Sequence, residues 1–217
     1  MICIGPHISI AKGFTQAGRD AVSIGADTFQ FFTRNPRGGN AKALDPKDIE
    51  ELRAIMEEHA FGPLLAHAPY TLNMASATDK TRDFAERAFV EDLERLSQLP
   101  CHLYNFHPGS HVGQGGEKGI ALILDILNRH MYPEQETIVL LEAMSGKGSE
   151  VGRDFEELRA IIEGVALKDK IGVCIDTCHI YSAGYDIVND LDGVLAEFDA
   201  VVGLDYLKAL HLNDSLT

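Results

Sequence analysis

Several features that would place this 217-residue chain elsewhere are missing. It has no run of 18 or more apolar residues, and so no candidate transmembrane helix. The opening Met1-Ile2-Cys3-Ile4-Gly5 has neither the basic stretch nor the apolar run of a signal peptide, so a cytoplasmic location is expected. Basic residues are scarce: 19 Lys and Arg stand against 33 Asp and Glu, a net charge of -14. That balance argues against a nucleic-acid partner unless a local basic loop or bound cations offset it. The four cysteines form no C-x-x-C pair, and Cys3, Cys101 and Cys174 lie in or beside apolar runs. They read as buried reduced thiols rather than as metal ligands or disulfides. No G-x-G-x-x-G follows the first apolar segment, where Gly5-Pro6-His7-Ile8-Ser9 stands, so no nucleotide cofactor is expected. No Pro- or Ser-rich linker and no low-complexity segment interrupts residues 1–217, which read as a single domain.

What remains is an alternation. β-type runs fall at 2–8, 28–32, 63–67, 102–107, 137–142, 171–176 and 206–211. Ile138-Val139-Leu140-Leu141 and Ile171-Gly172-Val173-Cys174-Ile175 are almost continuously apolar, as strands covered on both faces are. Between the runs lie helical stripes: Ile49, Leu52, Met56 and Ala60; Phe84, Ala88, Leu93 and Leu96; Phe155, Leu158, Ile162 and Val165. Asp79 and Asp154 stand where helix starts want an acid or a cap. Strand–helix–strand order throughout predicts an α/β fold with a parallel sheet. Without a glycine-rich nucleotide loop, a TIM (β/α) barrel is preferred to an open doubly wound sheet. Seven strands and six intervening helices are expected.

The residues that close the strands carry the chemistry. From the third run onward they are His67, His107, Glu142, Asp176 and His211, spaced 40, 35, 34 and 35 residues apart, one βα unit each. His7 closes the first run as well. Strand C-terminal ends converge on one face of a barrel, and His, Asp and Glu are about one residue in five here, so five in succession is a chance event of roughly one in three thousand. Three imidazoles and two carboxylates without a thiolate suit Zn²⁺ first, then Mn²⁺ or Fe²⁺. A carboxylate such as Glu142 can bridge two cations, which together polarise a phosphoryl oxygen, deliver a hydroxide and stabilise the leaving oxygen. Metal-assisted hydrolysis is the expected reaction.

The strings around these positions are specific. They are Asn105-Phe106-His107-Pro108-Gly109-Ser110-His111, Gly172-Val173-Cys174-Ile175-Asp176-Thr177-Cys178-His179 and His211-Leu212-Asn213-Asp214-Ser215. With Gly5-Pro6-His7-Ile8-Ser9 and Phe32-Thr33-Arg34-Asn35-Pro36-Arg37, the chain resembles, along essentially its whole length, endonuclease IV, the apurinic/apyrimidinic endonuclease family. The resemblance implies a xylose isomerase-like TIM barrel with three zinc ions. It implies hydrolysis of the DNA phosphodiester 5′ to an abasic site in base excision repair. Carried over, His67, His107 and Glu142 hold the first metal; Glu142, Asp176 and His211 hold the second; His179 serves the third. Glu142 is then the central catalytic residue. Arg37 and Tyr70 match residues that probe the abasic duplex, and His7 and His111 would stand behind the ligands.

The resemblance has departures. Gly38-Gly39-Asn40 follows Arg37, Thr71 follows Tyr70, and Ala143-Met144 replaces the usual Asn-Thr after Glu142. The chain stops at Thr217, a few residues past the seventh predicted strand. The family's next Asp-x-His pair and last-strand Glu are absent, so the eighth strand and last helices are expected to be missing and one or two metals to bind. Two other readings follow: a truncated remnant that binds metal and DNA without turnover, and a sugar isomerase or epimerase on a related barrel.

Overall fold

The structure is a computed structural model and describes residues 2–215; Met1, Leu216 and Thr217, and with them the expectation attached to the chain's end, lie outside it. Among the described residues six strands form one sheet: β1 (Gln30–Phe32), β2 (Leu65–His67), β3 (Leu103–Phe106), β4 (Ile138–Glu142), β5 (Ile171–Asp176) and β6 (Leu207–His211). All pairs are parallel and the spatial order follows the chain order. The helices are α1 (Phe14–Ser23), α2 (Pro46–Glu58), α3 (Asp79–Leu96), α4 (Gly116–His130), α5 (Phe155–Gly164), α6 (Thr177–Ala183) and α7 (Leu191–Val201).

Side chains alternate across each strand, and the two faces of this sheet differ accordingly. Ala66, Tyr104, Phe106, Val139, Leu141, Val173 and Ile175 belong to the main core, which they share with the helix stripes. The opposite face holds a small separate cluster of Leu65, Leu140 and Cys174, with Leu103, Ile138 and Ala209 against it. Those residues lie two positions before, or four before, the polar residues that end the strands. They form the layer of a barrel interior beneath the polar ring. A flat sheet of six strands would hold β1 and β6 about 24 Å apart. Instead the Gln30 side chain on β1 reaches His211 on β6 at 2.6 Å, so the sheet curls as a barrel does.

The register shows why the polar ring is level. Phe32 pairs with His67, and Asp176 with His211. His67, however, pairs with Asn105, two residues before His107, and Glu142 pairs with Cys174, two residues before Asp176. Each offset is even, so the side chains stay on the same face while the strands stagger, which is the tilt a closed barrel requires.

Three sequence expectations are corrected. Residues 2–8 do not form a strand: the segment keeps one parallel bridge, His7 to Gln30, with Ile8 N–H donating to the Gln30 carbonyl and Gln30 N–H to that of Pro6. Pro6 has no N–H to offer a ladder, and Gly5 sits so close that a Cβ there would lie 1.7 Å from the Thr28 carbonyl oxygen. Ile2 and Ile4 are exposed. Six strands are therefore seen where seven were expected. The α2 stripe stops before Ala60, which lies past the helix at φ +50°. Two helices, not one, connect β5 to β6: α6 is only seven residues long, has no apolar stripe to betray it, and ends at Gly184, whose φ of +108° takes the left-handed turn that closes helices.

The cysteine reading holds for Cys101 and Cys174, which are buried; Cys3 is half-buried. Asp154 caps α5, and Asp79 occupies the first turn of α3. A cap that crosses elements is provided by Asp48 of α2, whose carboxylate accepts from the Phe14 and Thr15 N–H groups at the start of α1 (2.7 and 2.9 Å). Burial works to raise this carboxyl's pKa, but the bonds from Thr15 and Phe14 outweigh it and hold the pKa low. Its contribution is present above the unfolded value of about 3.9 and is lost as pH falls through the lower folded value. Asp48→Ala is expected to cost about 1 kcal/mol at pH 7 in urea unfolding, and the gap to the parent should close below about pH 4.

Candidate metal centre

The carboxylate of Glu142, at the end of β4, is 1% exposed and sits at the middle of the ring. Its Oε2 lies 3.2 Å from His67 Nε2 and 3.3 Å from His107 Nε2. Its Oε1 lies 3.3 Å from His179 Nδ1 and 3.4 Å from His211 Nδ1. Asp176 Oδ2 is 3.7 Å from the same His211 nitrogen. Two sets therefore have converging ligand atoms: His67, His107 and Glu142, and Glu142, Asp176 and His211. These are the residues the strand-end pattern singled out.

Tautomers decide what those distances mean. His67 Nδ1 lies 2.6 Å from the Ala68 carbonyl, which can only accept, so Nδ1 carries the hydrogen. The lone pair of a neutral His67 is then on Nε2 and faces a carboxylate oxygen. His211 Nε2 is 2.6 Å from Gln30 Oε1, again an acceptor, so in a neutral His211 the Nδ1 lone pair faces both carboxylates. Acceptors opposed at such distances repel unless a positive charge lies between them. A proton can serve, and so can a metal ion: two ligands of a tetrahedral Zn²⁺ at about 2.0–2.1 Å stand about 3.3–3.5 Å apart. The donor chemistry and the spacing fit a divalent cation on each side of Glu142.

The electrostatics agree. Burial pushes the Glu142 carboxyl up, but hydrogen bonds from His107, His211 and His67 outweigh it and hold the pKa well below the carboxylate range. At His211 burial opposes the charged ring, and bonds to Asp176, Cys174 and Glu142 nevertheless raise its pKa to about 12. At His7 burial, then the nearby charges of His67 and His211, bring the pKa down to about 4. The pocket thus concentrates negative charge at its centre and keeps the imidazole behind it neutral.

Other predicted residues take distinct places. Asp176 both faces His211 and caps α6, accepting from His179 N–H at 3.0 Å. That cap brings His179 over the site, where its Nδ1 lies 3.1 Å from the Ala143 carbonyl, leaving Nε2 to carry the lone pair. Tyr70 is 59% exposed and packs beside Phe32, His67 and His107. Its N–H donates to the Pro36 carbonyl, which ties the loop after β2 to the one after β1. Arg37 is exposed on that second loop. His7 reaches the cluster through Gln30, whose Nε2 is 2.9 Å from His7 Nδ1. His111 does not reach it: its Nδ1 accepts from Gly115 N–H at the start of α4.

Three participants were not singled out from sequence. Asn105 donates to Glu142 Oε2 from one layer below His107. Asn213 donates to Asp176 Oδ2 at 2.6 Å. Gln30 joins His7 to His211. Their common signal is a polar residue on an inward strand position or just past a strand end, too ordinary a type to stand out alone. Arg34 lies in a loop but is not solvated. Its guanidinium is buried against Asp92, with Nη2 to Oδ1 at 2.6 Å, and also reaches Glu91 and the Gly39 and Ala88 carbonyls. Asp92 in turn accepts from Thr33 and Tyr104. Gly109, in the string after β3, has φ +106°, and a Cβ there would meet Asn73 Oδ1 at 2.2 Å; that amide also accepts from Ser110 N–H.

Fold and ring together define a β/α-barrel protein with side chains that could hold a metal ion at the C-terminal ends of its strands. Comparison with known proteins narrows that class. The family model described as a xylose isomerase-like TIM barrel matches residues 19–217. A protein of Akkermansia muciniphila named probable endonuclease 4 is 64% identical over 99% of this chain and 77% of its own length. The crystal structure of endonuclease IV from Thermus thermophilus superposes with a TM-score of 0.86 at 32% identity, covering 99% of this chain and 78% of that one. The chain belongs to the endonuclease IV family. A D-psicose 3-epimerase also matches, at a TM-score of 0.70 but 15% identity, a likeness of fold alone. Among the described residues no helix is long and apolar enough to cross a membrane.

The two loop arginines should separate in a stability measurement. Arg34→Met leaves Asp92 buried without its cation and is expected to cost about 3–5 kcal/mol in urea unfolding. Arg37→Ala should stay within about 0.5 kcal/mol of the parent.

Proposed function

We propose that this chain is a zinc-dependent endonuclease of DNA repair that acts in the cytoplasm and hydrolyses the phosphodiester 5′ to an abasic site in duplex DNA. Mn²⁺ or Fe²⁺ would suit the same donors. The observation that carries the reading is the buried Glu142 carboxylate, with imidazole nitrogens facing it from both sides. The relatives' name supports the substrate class.

In this reading His67, His107 and Glu142 would hold one cation, and Glu142, Asp176 and His211 a second. His179, with Nδ1 on the Ala143 carbonyl, would have Nε2 to offer a third. When bound, the cations supply Lewis acidity toward the phosphoryl oxygens and lower the pKa of a water molecule. The protein's own contribution is positional. Hydrogen bonds from the surrounding imidazoles, and from Asn213 to Asp176, outweigh burial and keep the Glu142 and Asp176 carboxylates ionised and oriented, and the Ala68 and Ala143 carbonyls and Gln30 fix the imidazole tautomers. Arg37 and Tyr70, on loops joined by one backbone hydrogen bond, face the duplex. An abasic site lacks a base to stack, so a side chain entering there meets a lowered unstacking cost. A net charge of -14 makes these few contacts and the bound cations carry the attraction to DNA.

The test is incision of an abasic duplex oligonucleotide by the zinc-loaded protein. Cutting 5′ to the lesion is expected, with loss on chelation and a fall of at least about 100-fold in Glu142→Gln. Arg37→Ala and Tyr70→Ala should weaken duplex binding more than they slow turnover of bound DNA. Binding without incision, turnover of a free sugar with DNA untouched, or full activity in Glu142→Gln would overturn the reading.

A further inference from the structure

His67 and His179 each have a ring nitrogen against a main-chain carbonyl, Ala68 and Ala143, and a carbonyl is fixed by the backbone whatever the side chains do. His211 differs. Its outer nitrogen meets the side-chain amide of Gln30, on a strand at the other end of the sheet order. Gln30 is held in turn: its backbone N–H donates to the Pro6 carbonyl, and its amide nitrogen meets His7 Nδ1 at 2.9 Å. We propose that Gln30 is a positioning residue that directs the lone pair of His211 Nδ1 toward Glu142 and Asp176, with His7 fixing which way the Gln30 amide points. The inference rests on the metal-centre reading given above.

The chemistry follows from donor and acceptor inventories. An amide has one accepting end and one donating end, so its two neighbours cannot both present the same group. With the oxygen toward His211, Nε2 of that ring must bear hydrogen and Nδ1 is free to ligate. His7 must then accept at Nδ1, as a neutral imidazole does. If the amide turned over, His211 Nδ1 would bear the hydrogen and point it at the carboxylates, and the second set of ligands would lose its imidazole. Partners of this kind behind a ligating histidine change metal affinity by about 10–100-fold. Gln30 also links β1 to β6, so the same bond couples sheet curvature to the geometry of the site.

Two measurements on the full chain test this. The first reads the unaltered site: long-range ¹⁵N–¹H NMR on zinc-loaded parent protein gives the tautomer of His211, its signals assigned by their loss in His211→Ala. Hydrogen on Nε2 is expected; hydrogen on Nδ1 overturns the proposal. The second titrates Zn²⁺ into metal-free protein against a chromogenic chelator, with folding of each variant checked by circular dichroism. Gln30→Leu keeps the volume without either polar end and should weaken one zinc site by roughly 10–100-fold while leaving another at parent affinity. Gln30→Glu, which retains the acceptor, should restore most of the loss. Equal affinities in the parent and Gln30→Leu overturn the role of Gln30 alone. A parent that binds no zinc overturns the metal-centre reading, and this proposal falls with it.

Discussion

Burying an ionised carboxylate costs several kcal/mol unless positive charge or hydrogen bonds replace the lost water. The architecture of this protein is organised around that requirement at Glu142. Four imidazoles come within 3.4 Å of its two oxygens, and Asn105 donates to one of them. At His67 and His211 the outer nitrogen gives its hydrogen to an acceptor, so a neutral ring turns a lone pair to the carboxylate. Positive charge between them, a proton or a metal ion, is what such a pair requires. A pocket of this kind is a poor place for an uncharged ligand and a good one for a divalent cation.

The sheet makes the arrangement achievable. Residues separated by 34 to 40 positions meet because each closes a parallel strand, and because the register offsets are even. An odd offset at β3 or β5 would have turned a ligand outward into the helix layer. Beneath the ring, Leu65, Leu140 and Cys174 pack together as an apolar layer under the carboxylates. The loops are anchored with comparable care. Arg34 is fastened to Asp92, Asn73 holds the turn at Gly109 and Ser110, and Tyr70 is tied to Pro36. Exposed Arg37 and Tyr70 therefore stand on supported loops rather than on free ones.

Much of this is legible in the sequence. Strands ending in His, Asp or Glu at one-unit spacing identify the ring directly, since only a residue type and a period are needed. The runs from 28–32 onward read correctly because continuous apolar segments are unambiguous at that length. Residues 2–8 misled because an apolar run does not reveal that Pro6 lacks a donor and that the segment follows β1 for only one bridge. The short α6 was hidden since seven residues between a cap and a glycine carry no period. Gln30, Asn105 and Asn213 matter through partners 23 to 181 positions away, which no local pattern encodes. Arg34 and Arg37, three residues apart in one loop, are identical in type and opposite in burial; only the position of α3 separates them.

The central claim is that Glu142 bridges two cations. Anomalous diffraction from zinc-loaded crystals, collected on both sides of the zinc absorption edge, tests it most directly. Two peaks flanking the Glu142 carboxylate are predicted, one beside His67 and His107, the other beside Asp176 and His211. Density without anomalous signal at Glu142, or zinc found only at other side chains, would contradict it.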